Sequence, residues 1–278
     1  MKKIQLAKTG EMIPILGQGT WGIKSFRGKE YYENWKASLR KGIELGMTHI
    51  DTAEMYGRGT SEKIVGEIIK EYPREDLFIT TKLFPMHLRY KSMKKAAYKS
   101  IERLGINYID LYLIHWPSPI VSIKKQMKVL EELVKEEKVR FIGVSNFSVE
   151  KFQKAQSYLN DVRLVNNQLN VSIIRQKQIH ESLPFYQKEG VTMTAYSPLG
   201  HYGLNNIKGE LKDKLENVAK KYNASSQQIA IAWLINHENV ITIPKAYKID
   251  HVEANAKAAD IKLTQEEINL FNTMGVNP

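Results

Sequence analysis

Three strand-like runs of this sequence each end in a titratable residue, and a nearby tyrosine completes a group that could share a proton. THID ends at Asp51, FITTK ends at Lys82, YIDLYLIH ends at His115, and Tyr56 follows in DTAEMYG. The spacings of 31 and 33 residues fit one strand plus one returning helix. In a barrel of alternating strands and helices, consecutive strands end side by side at the rim where active sites form. We therefore expect these four side chains to converge, an arrangement that suits proton transfer to a carbonyl oxygen.

The four side chains would have complementary roles if they meet. A phenol such as Tyr56 has an ordinary pKa near 10, and the ammonium of Lys82 would lower that pKa. Asp51 would keep Lys82 charged and in place, and His115 would hydrogen-bond the substrate oxygen. Each residue also has a purely structural explanation, as a helix cap, a solvent-facing strand end or a packed loop residue. Their joint placement at consecutive strand ends favours catalysis.

Short apolar runs alternate with longer amphipathic runs along the whole chain. Eight strand-like runs are each followed by a helical pattern, which favours parallel pairing and an α/β fold closed as a (β/α)8 TIM barrel. The predicted strands are residues 16–20, 48–51, 78–82, 108–115, 139–145, 162–168, 191–197 and 239–245. KIQL and MIPI around KTGE predict an N-terminal β-hairpin, and residues 264–274 predict an extra C-terminal helix. No linker divides the chain, so we expect a single domain over residues 1–278.

The helical patterns lie between these strands. Ser61 is expected to cap the second helix, which continues to Ile69. The segments 176–188 and 209–236 are each predicted as one helical stretch. The predicted helical segments are residues 29–45, 61–69, 92–104, 122–137, 148–158, 176–188, 209–236 and 250–258.

The composition limits the classes of protein that this chain can represent. Its 278 residues are 42% hydrophobic, enough for one large core, and include no cysteine. Disulfides, thiolate metal sites and cysteine nucleophiles are therefore excluded. No apolar run approaches the roughly 18 residues of a membrane helix, and no secretory signal is visible, so we expect no membrane partner and a cytoplasmic location. Because no exposed apolar stripe is predicted, we also expect a monomer.

The net charge of +11 requires nucleic acid to be considered as a partner. Lysines are spread along nearly every predicted helix, without the interleaved aromatic residues that would stack on bases. Solvated helix faces explain this distribution better, so no nucleic-acid partner is expected. A basic surface also suits an anionic ligand such as a phosphorylated cofactor.

One motif points to a different, dinucleotide-binding fold. GQGTWG, with Gly17, Gly19 and Gly22, fits the pattern G-x-G-x-x-G. That pattern works only where a helix N-terminus is directed at the pyrophosphate. The next residues, IKSFRGKE, are loop-like, and no acidic strand end follows in the required context. We therefore interpret the glycines as letting the first strand and its loop approach a ligand closely.

The chain resembles the aldo-keto reductase superfamily over nearly its whole length. DTAEMYG, FITTK, LIHWP, GVSNF, NNQLN, AYSPLG and IPKA occur in the order and at the intervals of that family. The resemblance implies a (β/α)8 barrel with a hairpin across its bottom. It also implies metal-independent hydride transfer between NADPH, or less often NADH, and an aldehyde or ketone. The catalytic tetrad of the family falls on Asp51, Tyr56, Lys82 and His115.

The resemblance further implies a cofactor site. Ser145, Asn146 and Gln168 match residues that hydrogen-bond the nicotinamide carboxamide, and Tyr196 matches the ring on which the nicotinamide stacks. Lys245 matches the lysine that pairs with the 2′-phosphate of NADPH. The other expected cofactor contacts are Gly19, Thr20, Trp21 and Asp51, together with Ser197 and Leu199 at the pyrophosphate, Asn255 at the adenine, and His251.

Two departures from the family pattern affect the choice of cofactor. His251 stands where many members have an arginine, and Ala246 stands where a serine or asparagine often follows the lysine. A neutral histidine holds a phosphate less well than a bidentate arginine. Lys245 still favours NADPH, so we expect NADPH as cofactor, with NADH as the alternative.

The substrate side of the site is less defined by sequence. Trp21, Met55, Phe84 and Trp116 follow motif residues and are expected to line an apolar substrate pocket. The segment 201–210 is short, which predicts an open and permissive pocket. The resemblance is greatest to prokaryotic members that reduce small aldehydes such as methylglyoxal. The alternative is a cofactor-binding regulatory or interaction protein of the same fold with little turnover.

Overall fold

Eight short strands form one parallel sheet that curls around a central core. The computed structural model describes residues 1–200, 203–205 and 207–274. Neighbours in the sheet are consecutive along the chain. The strands are β3 (Gln18–Gly19), β4 (His49–Asp51), β5 (Phe78–Leu83), β6 (Ile109–Ile114), β7 (Val139–Ser145), β8 (Leu164–Asn170), β9 (Thr192–Tyr196) and β10 (Val240–Thr242). Every residue of β5 and β6 is buried, as expected for parallel strands covered on both faces.

The first and last strands of the sheet meet, which closes the barrel. Leu16 forms a parallel bridge with Thr242. The amide of Gly17 donates to the carbonyl of Thr242 at 2.9 Å, and the amide of Thr242 donates to the carbonyl of Ile15 at 3.0 Å. The predicted (β/α)8 fold is confirmed, with β3 shorter than the five-residue run that predicted it.

Helices follow the strands and cover the outside of the sheet. They are α1 (Lys29–Glu44), α2 (Thr60–Ile69), α3 (Tyr90–Leu104), α4 (Ile123–Lys135), α5 (Val149–Gln156), α6 (Lys177–Glu181), α7 (Leu183–Glu189), α8 (Glu210–Lys221), α9 (Ser226–Ile235), α10 (Ile249–Lys257) and α11 (Gln265–Asn272). The last of these is the predicted extra helix. It is tied to the barrel by Trp233, whose indole donates to Asn272 at 2.8 Å. No helix within the described ranges is long and apolar enough to cross a membrane.

Two segments predicted as single helices are each divided in the structure. Residues 176–188 form α6 and α7, which separate at Ser182, directly before a helix with proline in its first turn. Proline has no amide hydrogen to continue the preceding helix, so a new helix starts there. Residues 209–236 form α8 and α9, with Asn223 in the left-handed region at φ 48° between them. Ser225 then caps α9 by accepting from the amide of Gln228.

The prediction that Ser61 caps the second helix is wrong. The helix begins at Thr60, and its N-cap is Gly59 with φ 87°. The Ser61 hydroxyl is buried, donates to Thr20 Oγ1 at 2.7 Å and pairs with Thr52 Oγ1 at 2.9 Å. Ser61 therefore joins the ends of β3 and β4 beneath the rim.

An antiparallel hairpin covers the amino-terminal end of the barrel. Its strands are β1 (Lys3–Gln5) and β2 (Met12–Pro14). Leu6 and Ile13 are buried against inward-facing barrel residues that include Phe78, the first residue of β5. The hairpin closes this end of the barrel, so the carboxyl ends of the strands form the end that remains accessible.

Candidate active site

Asp51, Lys82 and Tyr56 form a hydrogen-bonded group at the carboxyl ends of the strands. Lys82 Nζ lies 2.5 Å from Asp51 Oδ1 and donates to the carbonyl of Thr52 at 2.8 Å. The same ammonium lies 3.4 Å from Tyr56 Oη. Asp51 is the last residue of β4, and Lys82 lies in the neighbouring strand β5, with its side chain 0% exposed. The sheet register therefore brings together two of the residues that the sequence predicted to meet, and a short turn adds the phenol.

The turn that carries Tyr56 depends on a glycine directly after it. Gly57 has φ 53°, in the region that favours glycine. A Cβ atom at Gly57 would lie 2.7 Å from the carbonyl oxygen of Ile23 and 3.2 Å from the amide nitrogen of Ser25. The loop after β3 therefore packs directly on this turn, and this close packing fixes the position of the phenol above Lys82.

Opposing electrostatic effects act on Lys82 and Tyr56. Burial disfavours the ammonium of Lys82, but Asp51 and Tyr56 together raise the pKa of Lys82 above its ordinary value. Burial also raises the pKa of Tyr56, although Lys82 acts in the opposite direction. The predicted influence of Lys82 is present, but the predicted net lowering of the Tyr56 pKa is wrong. Desolvation of the phenolate outweighs the cation 3.4 Å away.

His115 follows β6 and lies against the phenol. The ring centroids of His115 and Tyr56 are 5.6 Å apart, and those of His115 and Trp116 are 4.6 Å apart. Burial and the charge of Lys82 lower the pKa of His115 to about 3. The imidazole is therefore neutral at physiological pH, with one nitrogen that donates and one that accepts.

Gln168 connects the far side of the barrel to Asp51. Its amide nitrogen donates to Asp51 Oδ2 at 2.7 Å, so each oxygen of the carboxylate has a buried donor. A carboxylate accepts only, which fixes the orientation of the Gln168 amide. Residue patterns did not predict this contact, because 117 residues separate the two partners.

Ser145, Asn146 and Tyr196 form a polar cluster beside His115. Asn146 donates to the His115 carbonyl at 3.1 Å and to Ser145 Oγ at 3.0 Å, and it accepts from the Tyr196 hydroxyl at 2.8 Å. Ser145 in turn donates to the backbone carbonyl of Gln168 at 2.8 Å. Asn146 adopts φ 60°, a strained backbone conformation of the kind that concentrates at functional sites.

A cavity of about 460 Å³ opens between these groups. Most of the residues that the sequence predicted for the site line it. The predicted residues in its lining are Gly19, Trp21, Asp51, Met55, Tyr56, His115, Trp116, Ser145, Asn146, Gln168, Tyr196, Ser197, Leu199 and Lys245. Lys245 Nζ lies 4.8 Å from the centroid of the Trp21 ring, and partial burial together with Lys24 lowers the pKa of Lys245. The cavity is thus lined by three members of the tetrad, Asp51, Tyr56 and His115, and has Lys245 in its wall.

Five predicted site residues lie outside the lining of this cavity. Lys82 is fully buried and contacts the lining residues Asp51 and Tyr56. Thr20 is fully buried, and its hydroxyl donates to the Asp51 carbonyl at 2.9 Å. Phe84 packs edge-on against Trp116 with ring centroids 5.5 Å apart. His251 is exposed and Asn255 is buried, both in α10. The segment 201–210, predicted to leave the pocket open, includes residues 201, 202 and 206, which lie outside the described residues.

The comparisons with known proteins agree with this geometry. The sequence profile of the aldo/keto reductase family matches residues 15–275. The chain is 35% identical over 262 residues to methylglyoxal reductase YeaE of Escherichia coli strain K12, covering 94% of this chain and 90% of that protein. The chain therefore belongs to the aldo/keto reductase family, a family of oxidoreductases.

Solved structures of this family have the same fold. The thermostable aldo-keto reductase Tm1743, solved with the inhibitor epalrestat, superposes with a TM-score of 0.93 at 40% identity. The match covers 99% of this chain and 100% of that chain. An aldo/keto reductase from Klebsiella pneumoniae, solved with NADP and acetate, has a TM-score of 0.87 at 33% identity, covering 96% and 93% of the two chains. Both structures therefore match almost the entire length of this chain.

Proposed function

We propose that the protein reduces the carbonyl group of small aldehydes to an alcohol, with NADPH as the hydride donor. The observation that carries this proposal is the hydrogen-bonded group of Asp51, Lys82 and Tyr56 beside the neutral His115, with Asp51, Tyr56 and His115 lining the cavity. Membership of the aldo/keto reductase family supports carbonyl reduction as the reaction class. The name of the E. coli relative, a methylglyoxal reductase, supports small aldehydes as substrates.

We assign the proton transfer to Tyr56. A phenol with a raised pKa is fully protonated at neutral pH and can donate to a developing alkoxide, while Lys82 stabilises the phenolate that remains. Asp51 keeps Lys82 charged and oriented. His115, as a neutral imidazole, donates a hydrogen bond that orients the carbonyl oxygen before the transfer.

The residues around the cavity fit a nicotinamide cofactor. NADPH, when bound, supplies the hydride. Tyr196 offers a ring for stacking, and Ser145, Asn146 and Gln168 offer the donors and acceptors that a carboxamide requires. Lys245 offers a cation for a phosphate, which favours NADPH over NADH, and the NADP complex of the Klebsiella structure supports this choice.

The other proposed cofactor contacts lie along the same side of the barrel. Gly19, Trp21, Ser197 and Leu199 line the cavity, and Thr20 supports it from below through Asp51. His251 and Asn255 lie on α10 and are proposed to contact the adenosine end. We further propose that residues 1–278 form one monomeric domain in the cytoplasm, which size-exclusion chromatography and fractionation can test.

Titration of the tryptophan fluorescence with each cofactor tests the proposed site without a choice of substrate. Trp21 and Trp116 both line the cavity, so bound nicotinamide should quench their emission strongly. We expect saturable quenching at micromolar NADPH and weaker binding of NADH. A Lys245→Met variant, which lacks the cation for the 2′-phosphate, should have a smaller difference between its affinities for NADPH and NADH. Absence of saturation up to about 1 mM, which is weaker than about −4 kcal/mol, would contradict the cofactor assignment.

A further inference from the structure

A second cavity, here called the basal cavity, lies at the amino-terminal end of the barrel. Its volume is about 660 Å³, larger than the cavity of about 460 Å³ that Asp51 and Tyr56 line. It is bounded by the hairpin turn of residues 7–9, by α5 and α7, and by the first residues of β8. Sites for small organic molecules typically have volumes of about 300–1,000 Å³. The basal cavity is therefore large enough for such a ligand, and the proposed reduction makes no use of it.

The buried part of the lining of the basal cavity is apolar. Phe152 of α5 and Phe185 of α7 both line it, edge to face, with ring centroids 6.1 Å apart. Leu164 and Val165, the first residues of β8, are 2% and 6% exposed. Aromatic and aliphatic surface of this kind is suited to packing against a flat apolar group.

Two cations, Lys8 and Arg163, belong to the exposed part of the same lining. Neither side chain forms an ion pair or a hydrogen bond within the part of the chain that the structure describes. Glu189 adds one carboxylate, which leaves the lining with a net charge of +1. This charge matches a singly charged anion better than a dianion such as a phosphate monoester.

The hairpin turn holds Lys8 in a defined place. Ala7 adopts φ 48°, a conformation that is strained for a residue with a Cβ atom, and its amide donates to Thr192 Oγ1 at 2.8 Å. A Cβ atom at Gly190 would lie 2.2 Å from Lys8 Cε, so the lysine side chain crosses the C-terminal cap of α7 in contact with its backbone. The carbonyls at the end of a helix favour a nearby cation, but among the described residues no hydrogen bond joins Lys8 to them. Strained backbone thus holds a cation without an anionic partner at the edge of an apolar cavity.

We propose that the basal cavity is a second binding site, which takes a small carboxylate that carries an aromatic ring. The carboxylate pairs with Lys8 and with the guanidinium of Arg163, which can donate two parallel hydrogen bonds to it. The ring packs against Phe152 and Phe185. This site is separate from the proposed carbonyl reduction, and it binds its ligand in the absence of NADPH.

Calorimetric titration of the cofactor-free protein with three related compounds tests this proposal. Phenylacetate has both the ring and the carboxylate, and we expect it to bind with a Kd at or below about 1 mM. Acetate keeps the carboxylate but lacks the ring, whereas benzylamine keeps the ring and is a cation at neutral pH. Both should bind at least about tenfold more weakly than phenylacetate. Equal binding of benzylamine, or no binding of phenylacetate, would overturn the proposal.

A double variant, Lys8→Gln with Arg163→Gln, assigns the binding to the basal cavity. It removes both cations of the lining and should raise the Kd of phenylacetate at least about tenfold. The matched control is Lys63→Gln with Lys99→Gln, which removes the same charge from two exposed lysines of α2 and α3 that have no ion pair within the described ranges. The control should bind phenylacetate as the unmodified protein does. Circular dichroism should show the same melting temperature for both double variants, because all four side chains are exposed.

The variants also separate the basal cavity from the other places where a carboxylate can bind. At the tetrad, the Tyr56 hydroxyl and the neutral imidazole of His115 can both donate to an anion. An unchanged Kd in the Lys8 and Arg163 variant would place phenylacetate there and overturn the proposal. Equal weakening in the control would show that only the net charge of the protein matters, which would also overturn it. The titration measures binding without turnover, so failure of the proposed reduction would leave its result unaffected.

Discussion

Asp51 occupies the centre of the site at the scale of single residues. One of its oxygens accepts a hydrogen bond from the Lys82 ammonium, and the other accepts one from the Gln168 amide. The proposed proton donor and the proposed carboxamide site therefore share one buried carboxylate. This sharing fixes the relative position of the two halves of the site before any ligand is bound, a form of preorganisation that catalysis requires.

The buried pair of Asp51 and Lys82 leads to a stability prediction. Lys82→Met leaves the Asp51 carboxylate buried without its cation, and breaking such a pair from one side typically costs about 3–5 kcal/mol. We expect a loss of this size in the free energy of unfolding, measured by urea denaturation.

The double variant Asp51→Leu with Lys82→Met is the control for this prediction. It removes both charges and should recover much of the lost stability, since apolar replacements of whole ion pairs are often neutral. Equal destabilisation of the single and double variants would show that the charge of Asp51 is not responsible.

Residue patterns in the sequence predicted which side chains meet and the directions in which Asp51 acts on Lys82 and Lys82 acts on Tyr56, but not the opposing effect of burial. The strand-end positions of Asp51, Lys82 and His115 follow from the period of the fold. The pKa of Tyr56 depends on the depth of burial, which no spacing encodes. The bond from Gln168 to Asp51 spans 117 residues and depends on the curvature of the whole sheet.

At the scale of elements, strands were easier to predict than the limits of helices. The central strands β5 and β6 are short runs that are buried at every residue, and the predicted bounds of β7 agree with the structure at both ends. The break between α8 and α9 was missed, although Ser225 and Gln228 form a recognisable capping box. Serine is a common helix-capping residue, but the Ser61 hydroxyl forms hydrogen bonds with Thr52 and Thr20 instead.

The loops that follow the strands were the least predictable elements. Glu54 lies between Asp51 and Tyr56 in DTAEMYG, and nothing in that motif indicates that its carboxylate accepts from the Phe84 amide. This contact depends on the packing of two neighbouring loops. Specificity in barrel enzymes resides in such loops, and the contact between these two loops could be found only in the structure.

At the scale of the whole molecule, the barrel buries neutral imidazoles inside a basic protein. His49 lies inside the barrel, where burial lowers its pKa to about 4, with Asp51 opposing and Lys82 assisting that shift. His115 has its pKa lowered to about 3 by burial and by Lys82. In mildly acidic solution both side chains stay neutral in the folded protein but bind a proton in the unfolded chain. The stability of the fold therefore depends on pH.

Stability should fall as the pH is lowered from neutrality. Below the ordinary histidine pKa of 6.5, the unfolded chain binds a proton at His49 and at His115, whereas the folded protein does not. A lowered pKa therefore contributes stability above pH 6.5 that is lost toward the folded values near 4 and 3. Each group changes stability by up to about 1.4 kcal/mol per pH unit, so the free energy of unfolding should fall by roughly 3 kcal/mol between pH 6.5 and 5.

Urea denaturation at a series of pH values measures this slope. A His49→Gln variant keeps a polar side chain in the same space. Its free energy of unfolding should change with pH at about half the slope of the unmodified protein. An unchanged slope in that variant, or a flat profile in the unmodified protein, would contradict the account of neutral buried imidazoles.

The Tyr56→Phe variant tests the central claim most directly, because it removes one hydroxyl from the site. The measurement is kcat with methylglyoxal and saturating NADPH, alongside the NADPH dissociation constant from tryptophan quenching. We predict a fall in kcat of about 10² to 10⁴, equivalent to about 3–5 kcal/mol of transition-state stabilisation, with cofactor affinity unchanged. Near-normal kcat in a variant that still binds NADPH would contradict the assignment of Tyr56 as the proton donor.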